Sequence, residues 1–150
     1  MNKSHRGVAL VEFALMLPML LLLTVITTEF GRAIYQYNTL AKSVRDASRY
    51  LSMQTPGTQM TQARNLVVHG NLAGTGPVLV DGLNGSNVPN PTWQTAGADP
   101  IITTVTVQVS GYTFRPMFSS VLGVQFFSGG GITFSDIRAT MRSHVEPVAP

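Results

Sequence analysis

An uninterrupted apolar run near the N-terminus constrains this chain more than any other feature. The 21 residues from Val8 to Thr28 contain a single charged side chain, that of Glu12. As an α-helix the run would extend about 31 Å, close to the hydrocarbon thickness of a bilayer. Lys3 and Arg6 precede it, so the positive-inside rule predicts a cytoplasmic N-terminus and a C-terminal part outside the cytoplasm. The run therefore predicts a single-pass membrane segment.

Composition supports a small membrane-anchored protein and argues against a nucleic-acid partner. Charged residues make up 11% of the 150 residues, well below the roughly 25% usual in soluble domains. The net charge is +3, but two of the ten basic residues precede the apolar run, which leaves eight basic against seven acidic residues. No cluster of lysine and arginine with interleaved aromatic residues remains to bind phosphates. The absence of cysteine excludes a disulfide framework and a thiolate nucleophile.

The helical pattern continues beyond the apolar run as an amphipathic stripe. Apolar side chains recur at spacings of three and four residues until the Pro56-Gly57 turn signal. We therefore expect one helix from about Val8 to Met53, whose second half packs on a small domain or on a partner helix. The predicted packing residues are Phe30, Ile34, Tyr37, Leu40, Val44 and Leu51.

The C-terminal part predicts a small antiparallel sheet. Residues 101–110 alternate between apolar and polar side chains, which is typical of a half-buried strand. Residues 132–144 predict a final strand that pairs antiparallel with it, and residues 112–114 either extend the first strand or pair with it. The expected fold is α+β, with a long N-terminal transmembrane and amphipathic helix packed on a small antiparallel sheet domain.

Shorter elements are expected between the helix and the sheet. Thr58 is placed to cap a short helix that ends at about His69, with Gly70 as its stop. Residues 70–100 are rich in glycine, asparagine and proline and predict loops, within which residues 78–82 begin a small hairpin.

An apolar segment from Met117 to Phe127 allows two interpretations. As a short helix or hydrophobic loop after Pro116 it is expected to cover one face of the sheet; alternatively it is an exposed patch that contacts another subunit or a membrane surface. Gly129-Gly130-Gly131 predicts a flexible turn, because the lysine and Ser/Thr of a phosphate-binding loop are missing.

No pattern in the sequence indicates catalysis. HExxH, GxSxG and Walker motifs are absent. The histidines and the loop carboxylates are scattered along the chain: His5, His69, His144, Asp81, Asp99 and Asp136. We therefore expect a protein that is not an enzyme, with no catalytic residue, no metal site and no cofactor.

The N-terminal third resembles a known family. Residues 6–18, which read RGVALVEFALMLP, resemble the N-terminus of TadE-like proteins, the minor pilins or pseudopilins of Tad (Flp, type IVc) pilus systems. Residues 29–33 (EFGRA), 35–40 (YQYNTL) and 47–51 (ASRYL) are similar to the same family, and residues 137–142 match more weakly.

The resemblance implies processing and assembly. A prepilin peptidase would cut between Gly7 and Val8, after a leader of residues 1–7, and leave Glu12 as the fifth residue of the mature chain. Glu12, Phe13 and Pro18 would then be assembly residues, with Phe13 standing where many Tad prepilins carry tyrosine. The segments would be a membrane span at 8–28, a helical continuation at 29–53 and an extracytoplasmic domain at 54–150.

The same resemblance implies location and partners. The expected location is the bacterial inner membrane, with incorporation into a surface pilus. The expected partners are other pilin subunits, the prepilin peptidase, the Tad inner-membrane assembly platform and the lipid bilayer, with no nucleic acid.

Two other interpretations of the N-terminal segment stay open. In the first, the chain is a signal-anchored envelope binding or structural protein outside any filament, Glu12 snorkels to the headgroups and Pro18 is a tolerated membrane proline. In the second, a signal peptidase cuts after the small-x-small triplet Gly31-Arg32-Ala33 and releases a secreted protein.

Overall fold

The computed structural model describes residues 4–127 and 130–145, with the side chains of residues 4–6 left out. Helix α1 spans Ser4–Ser52, helix α2 spans Met60–His69, and a 3-10 turn covers Gly85–Asn87. The strands in chain order are β1 Thr92–Ala96, β2 Ile102–Val109, β3 Thr113–Phe114, β4 Ser120–Val121, β5 Val124–Gln125, β6 Ile132–Thr133 and β7 Ile137–Arg142.

The chain divides into two compact units. We call the first, Met1–Ile34 with Arg115–Gly131, the helix–hairpin unit. The second, Tyr35–Phe114 with Ile132–Pro150, is the sheet unit.

Helix α1 is a single 49-residue element that contributes to both units. Leucine, methionine and alanine dominate its first half and favour helix. At 1.5 Å per residue it is about 74 Å long. The predicted long N-terminal helix is confirmed, and it begins at Ser4 and ends at Ser52 rather than running from Val8 to Met53.

The sheet unit is built on an antiparallel sheet with the strand order β1-β2-β7. Val105 pairs with Trp93 of β1 on one side and with Met141 of β7 on the other. Strand β2 buries every second side chain, as its alternation predicts, because one face lies on the core. The predicted antiparallel pairing of the two main strands is confirmed.

The second half of α1 packs on this sheet, and the α+β fold is therefore confirmed. Buried Ser48 donates its hydroxyl hydrogen bond to the carbonyl oxygens of Val44, at 2.8 Å, and of Ala139 in β7, at 3.0 Å. The His144 amide donates to the Ser52 carbonyl oxygen at 2.7 Å. The core of the unit includes Leu40, Val44, Ala47, Leu51, Ala63, Val67, Val105, Val107, Val109, Tyr112 and Phe114.

Two local predictions before the sheet are wrong. Thr58 does not cap α2: Gln59 precedes the helix in a left-handed conformation, and the Thr58 hydroxyl donates back to the Thr55 carbonyl oxygen at 2.7 Å. Residues 78–82 form no strand. The Leu79 amide donates to the Val68 carbonyl oxygen, the Val80 carbonyl oxygen accepts from the Leu83 amide, and Val80 is buried. Gly70 ends α2 as predicted.

The strands also differ in detail from the prediction. Strand β1 lies within the region predicted as loops, since a five-residue strand with four exposed positions has no apolar alternation to reveal it. The predicted last strand is divided, because β6 pairs with β3 while β7 pairs with β2. The predicted turn at Gly129 lies outside the described residues.

The segment from Met117 to Phe127 forms neither a helix nor a cover for the sheet. It contains the two-stranded hairpin β4–β5 within the helix–hairpin unit. Met117, Phe118, Leu122 and Val124 are exposed, so the expectation that they cover one face of the sheet is wrong. The sequence showed their apolar character, but no periodicity that could assign them to a core.

Candidate functional site

The first half of α1 exposes an apolar surface on all sides. No residue of its most apolar 18-residue window is buried, and the helix is long and apolar enough to cross a membrane. Its large exposed side chains include Leu10, Leu15, Met19, Leu20 and Leu23. Apolar exposure of this extent in water is unfavourable, so the segment requires lipid or protein around it.

Glu12 is the one carboxylate on this surface, and it is exposed. Within the described part of the chain no hydrogen bond or ion pair engages it. Val8 lies four residues earlier, so the two residues occupy the same helix face, with about 5–6 Å between their Cβ atoms. Phe13 is exposed beside Glu12.

The bond between Gly7 and Val8 lies within α1, near its start. Nothing approaches within 4 Å of the position that a Cβ atom on Gly7 would take. Glycine is about 1 kcal/mol less favourable than alanine inside a helix. The first turns of α1 are therefore both accessible and comparatively easy to unwind at this bond.

Pro18 lies inside α1 without ending it. Because proline has no amide hydrogen, the carbonyl oxygen of Ala14 receives no bond from residue 18. In a membrane an unsatisfied carbonyl favours a partner on a neighbouring helix or an ordered water. Glu12 and the Ala14 carbonyl are thus two acceptors within one turn of the same exposed segment.

The polar side chains further along the segment are satisfied by the helix itself. The hydroxyls of Thr24, Thr27 and Thr28 each donate to the carbonyl oxygen four residues earlier, at 2.8 Å. This back-bonding hides hydroxyl groups from an apolar environment. Among the polar side chains of the run, Glu12 differs because no hydrogen bond to its own helix satisfies it within the described residues.

A second carboxylate, Glu29, ends the apolar run and is 1% exposed. Its Oε2 accepts a hydrogen bond from Arg32 Nη1 at 2.8 Å in an ion pair one helical turn away. Its Oε1 accepts one from the Met117 amide at 3.2 Å. Glu29 therefore attaches the start of the apolar segment of residues 117–127 to α1, within the helix–hairpin unit.

Sequence reasoning missed this arrangement. The signal available was an acid directly after an apolar run with an arginine three residues later, a spacing that brings the two side chains together on a helix. The distant partner, the amide of Met117, has no signature in sequence.

The predicted packing residues fall into two groups. Leu40, Val44 and Leu51 are fully buried in the sheet unit. Tyr37 is exposed over 44% of its surface, although its ring meets that of Phe134 edge to face, with ring centroids 5.7 Å apart. Phe30 and Ile34 are also exposed, so these two side chains have surface available for a contact outside the chain.

The described residues contain no group of three or more His, Cys, Asp or Glu side chains that could hold a metal ion.

Comparisons with known proteins identify the N-terminal segment. A family model described as TadE-like protein matches residues 7–49. No curated protein and no solved structure gives a significant match to the chain. The matched range contains the exposed apolar helix, Glu12, Pro18 and the Glu29–Arg32 pair. The resemblance is therefore confirmed over these residues: the segment 7–49 of this chain matches the TadE-like family.

Proposed function

We propose that this chain is a minor pilin or pseudopilin of a Tad pilus. Residues 8–28 would anchor it in the bacterial inner membrane before assembly and pack among the helices of other subunits afterwards. The sheet unit would then lie outside the cytoplasm. The proposed role is structural, and the proposal assigns no catalytic residue.

The observation that carries the proposal is Glu12 on an exposed apolar helix, where no side chain or amide of the described residues engages its carboxylate. A carboxylate near mid-bilayer costs up to about 3 kcal/mol, and less near an interface. An anchor alone has no use for it, since a leucine at this position would insert more favourably. A group that gains an ionic partner once the chain has been processed explains the carboxylate better than anchoring does.

Cleavage after Gly7 would create the partner. It would free an α-amine at Val8, a positive charge that the helix macrodipole disfavours at an N-terminus. In the membrane, Glu12 of the same chain could neutralise this amine from the shared helix face. In a filament, Glu12 of an adjacent subunit would do so and fix the axial register, since leaving either charge buried and unpaired is strongly unfavourable.

The N-terminus of the protein isolated from its native membrane tests the processing step. Peptide mass analysis is expected to find a mature chain that begins at Val8. A chain that retains residues 1–7 would favour the signal-anchored alternative, and one that begins at Ile34 would favour the secreted alternative. Either result would contradict the proposal.

Glu12→Gln tests the assembly step, because it removes the charge and keeps the shape. We expect the variant to enter the membrane normally and to be lost from sheared pili. Leu10→Ala, on the same exposed segment, is the matched control and is expected to assemble. Normal incorporation of Glu12→Gln would show that the carboxylate has no part in assembly.

A further inference from the structure

The hairpin β4–β5 carries an apolar surface that its own unit does not bury. Met117 and Leu122 are 71% and 63% exposed, and Phe118 and Val124 are also exposed. Residues 116–131 contain no charged side chain. We call this surface, formed by Met117, Phe118, Leu122 and Val124, the hairpin patch.

Leu122 occupies a position that folding alone does not explain. It has a φ of 53° and is followed by Gly123 with a φ of 79°, and Val121 pairs directly with Val124. A two-residue loop with both φ angles positive is a type I′ turn, which prefers Asn-Gly or Asp-Gly. A bulky apolar side chain in the left-handed region is an uncommon outlier. Asparagine would suit the turn better, so the leucine points to a use at the hairpin tip.

Glu29 fixes where along α1 the hairpin begins. The Met117 amide donates to Glu29 Oε1 at 3.2 Å, and Glu29 directly follows the last residue of the 21-residue apolar run. The base of the hairpin is thus held at the level where a membrane-spanning helix would leave the hydrocarbon. Leu122 is five residues further on, a reach of at most about 17 Å in an extended strand.

The charge beside the patch suits a lipid surface. Arg115 is exposed at the start of the segment, two residues before Met117. An exposed arginine that precedes an exposed apolar segment suits a bilayer surface, because the arginine can meet anionic headgroups while the apolar side chains meet the acyl boundary. The patch and the exposed apolar part of α1 belong to the same compact unit.

We infer that the hairpin patch inserts at the headgroup boundary of the bilayer that α1 crosses. It gives the helix–hairpin unit a second, shallow membrane contact beside the spanning helix. The inference rests on the proposed membrane span of residues 8–28, whereas the pilus role is not needed for it.

Depth measurement in vesicles tests the inference with the full chain, which has no cysteine of its own. Single-cysteine variants Val124→Cys, Leu20→Cys and Thr61→Cys would be labelled with an NBD fluorophore. They would be placed in phosphatidylcholine–phosphatidylglycerol vesicles whose lipids are brominated either near the glycerol or near the chain end. Thr61 is an exposed residue of α2 and serves as the aqueous reference.

We expect the Val124 label to be quenched by the shallow bromines and the Leu20 label by the deep ones. A Val124 label that behaves like the Thr61 label, with Leu20 deep, would overturn the inference and leave the membrane span standing. If the Leu20 label also fails to be quenched, the span and the proposed function fail with it. Shielding of Val124 that grows with the protein-to-lipid ratio would identify a second copy as the occupant and would overturn the inference.

Two substitutions test whether the apolar side chain at the hairpin tip, and not the folding of the hairpin alone, brings the Val124 label to the bilayer. Leu122→Asn suits the type I′ turn and removes the apolar tip, so the Val124 label is expected to lose its shallow quenching. Gln125→Asn, which replaces one exposed polar side chain by another on β5, is expected to leave the shallow quenching of the Val124 label unchanged. Unchanged quenching in Leu122→Asn would overturn the assignment of the tip as the inserting element.

Discussion

The two halves of helix α1 differ in what surrounds them, although the backbone is continuous. In the first half most leucines are exposed, including Leu10, Leu15, Leu20 and Leu23. In the second half Leu40 and Leu51 are fully buried in the core of the sheet unit. The more apolar half of α1 is therefore the half whose side chains the chain leaves exposed.

This difference shows that the hydrophobicity of a helical segment does not tell whether the chain itself buries that segment. Burial within the chain follows the amphipathic stripe, because only a stripe with a polar opposite face lets one side pack and the other meet water. An apolar surface on all sides has no such division. The first half therefore requires lipid or another protein around it. A leucine there contributes little to the free energy of unfolding of the chain, whereas a buried leucine in the second half contributes much.

The largest expected effect comes from truncating one leucine in each half. Leu40→Ala should lower the free energy of unfolding of the sheet unit by about 2–5 kcal/mol, since it leaves a cavity in a packed core. Leu20→Ala should leave it within about 0.5 kcal/mol of the wild type. Urea unfolding in mild detergent, followed through Trp93, the single tryptophan, measures both. Equal losses would show that the exposed half also contributes to the stability of the core.

A charge placed in each half of α1 tests whether the two halves differ in membrane insertion. Leu20→Arg should impair insertion, because arginine at the centre of a spanning helix costs about 2.5–3.5 kcal/mol. Tyr35→Arg, at an exposed position after the run, is the matched control and should insert normally. The measurement is the fraction of protein that resists carbonate extraction from membranes. Normal insertion of Leu20→Arg would mean that residues 8–28 do not span.

Removing one hydroxyl group from each half of α1 is expected to have a smaller effect on the free energy of unfolding. Ser48→Ala removes a buried hydroxyl that bonds to Ala139 in β7, and it should cost about 1 kcal/mol of unfolding free energy. Thr24→Ala removes an exposed hydroxyl that bonds only within its own helix, and it should leave the sheet unit unchanged. The urea midpoints of the two variants provide the test. A lowered midpoint in Thr24→Ala would contradict the separation of the two halves.

Periodicity explains how much of this fold could be predicted from sequence. The stripe at Leu40, Val44 and Leu51 and the alternation in β2 each repeat often enough to identify an element and the face it buries. Strand β1 could not be found, because its short polar sequence is defined by pairing with β2 and not by its own pattern.

The candidate site also contains residues that the sequence could indicate and residues that it could not. The family resemblance pointed to Glu12 because the leader, the acid and the proline stand close together in sequence. Glu29 was missed as a functional position, because its amide partner lies 88 residues further along the chain. For residues 117–127 the sequence allowed both a cover for the sheet and an exposed patch, since two-residue strands carry no period from which a buried or exposed face could be inferred.

The smallest expected effect concerns the contact between Glu29 and the hairpin. Glu29→Gln keeps a carbonyl oxygen that can accept from the Met117 amide, whereas Glu29→Ala removes the acceptor. Hydrogen exchange of this amide should therefore stay slow in the first variant and quicken in the second, because an amide exchanges when its bond opens. The amides of β2 should exchange as in the wild type in both, since Glu29 belongs to the helix–hairpin unit. Faster exchange in both regions would mean that Glu29 stabilises the whole chain and not the hairpin alone.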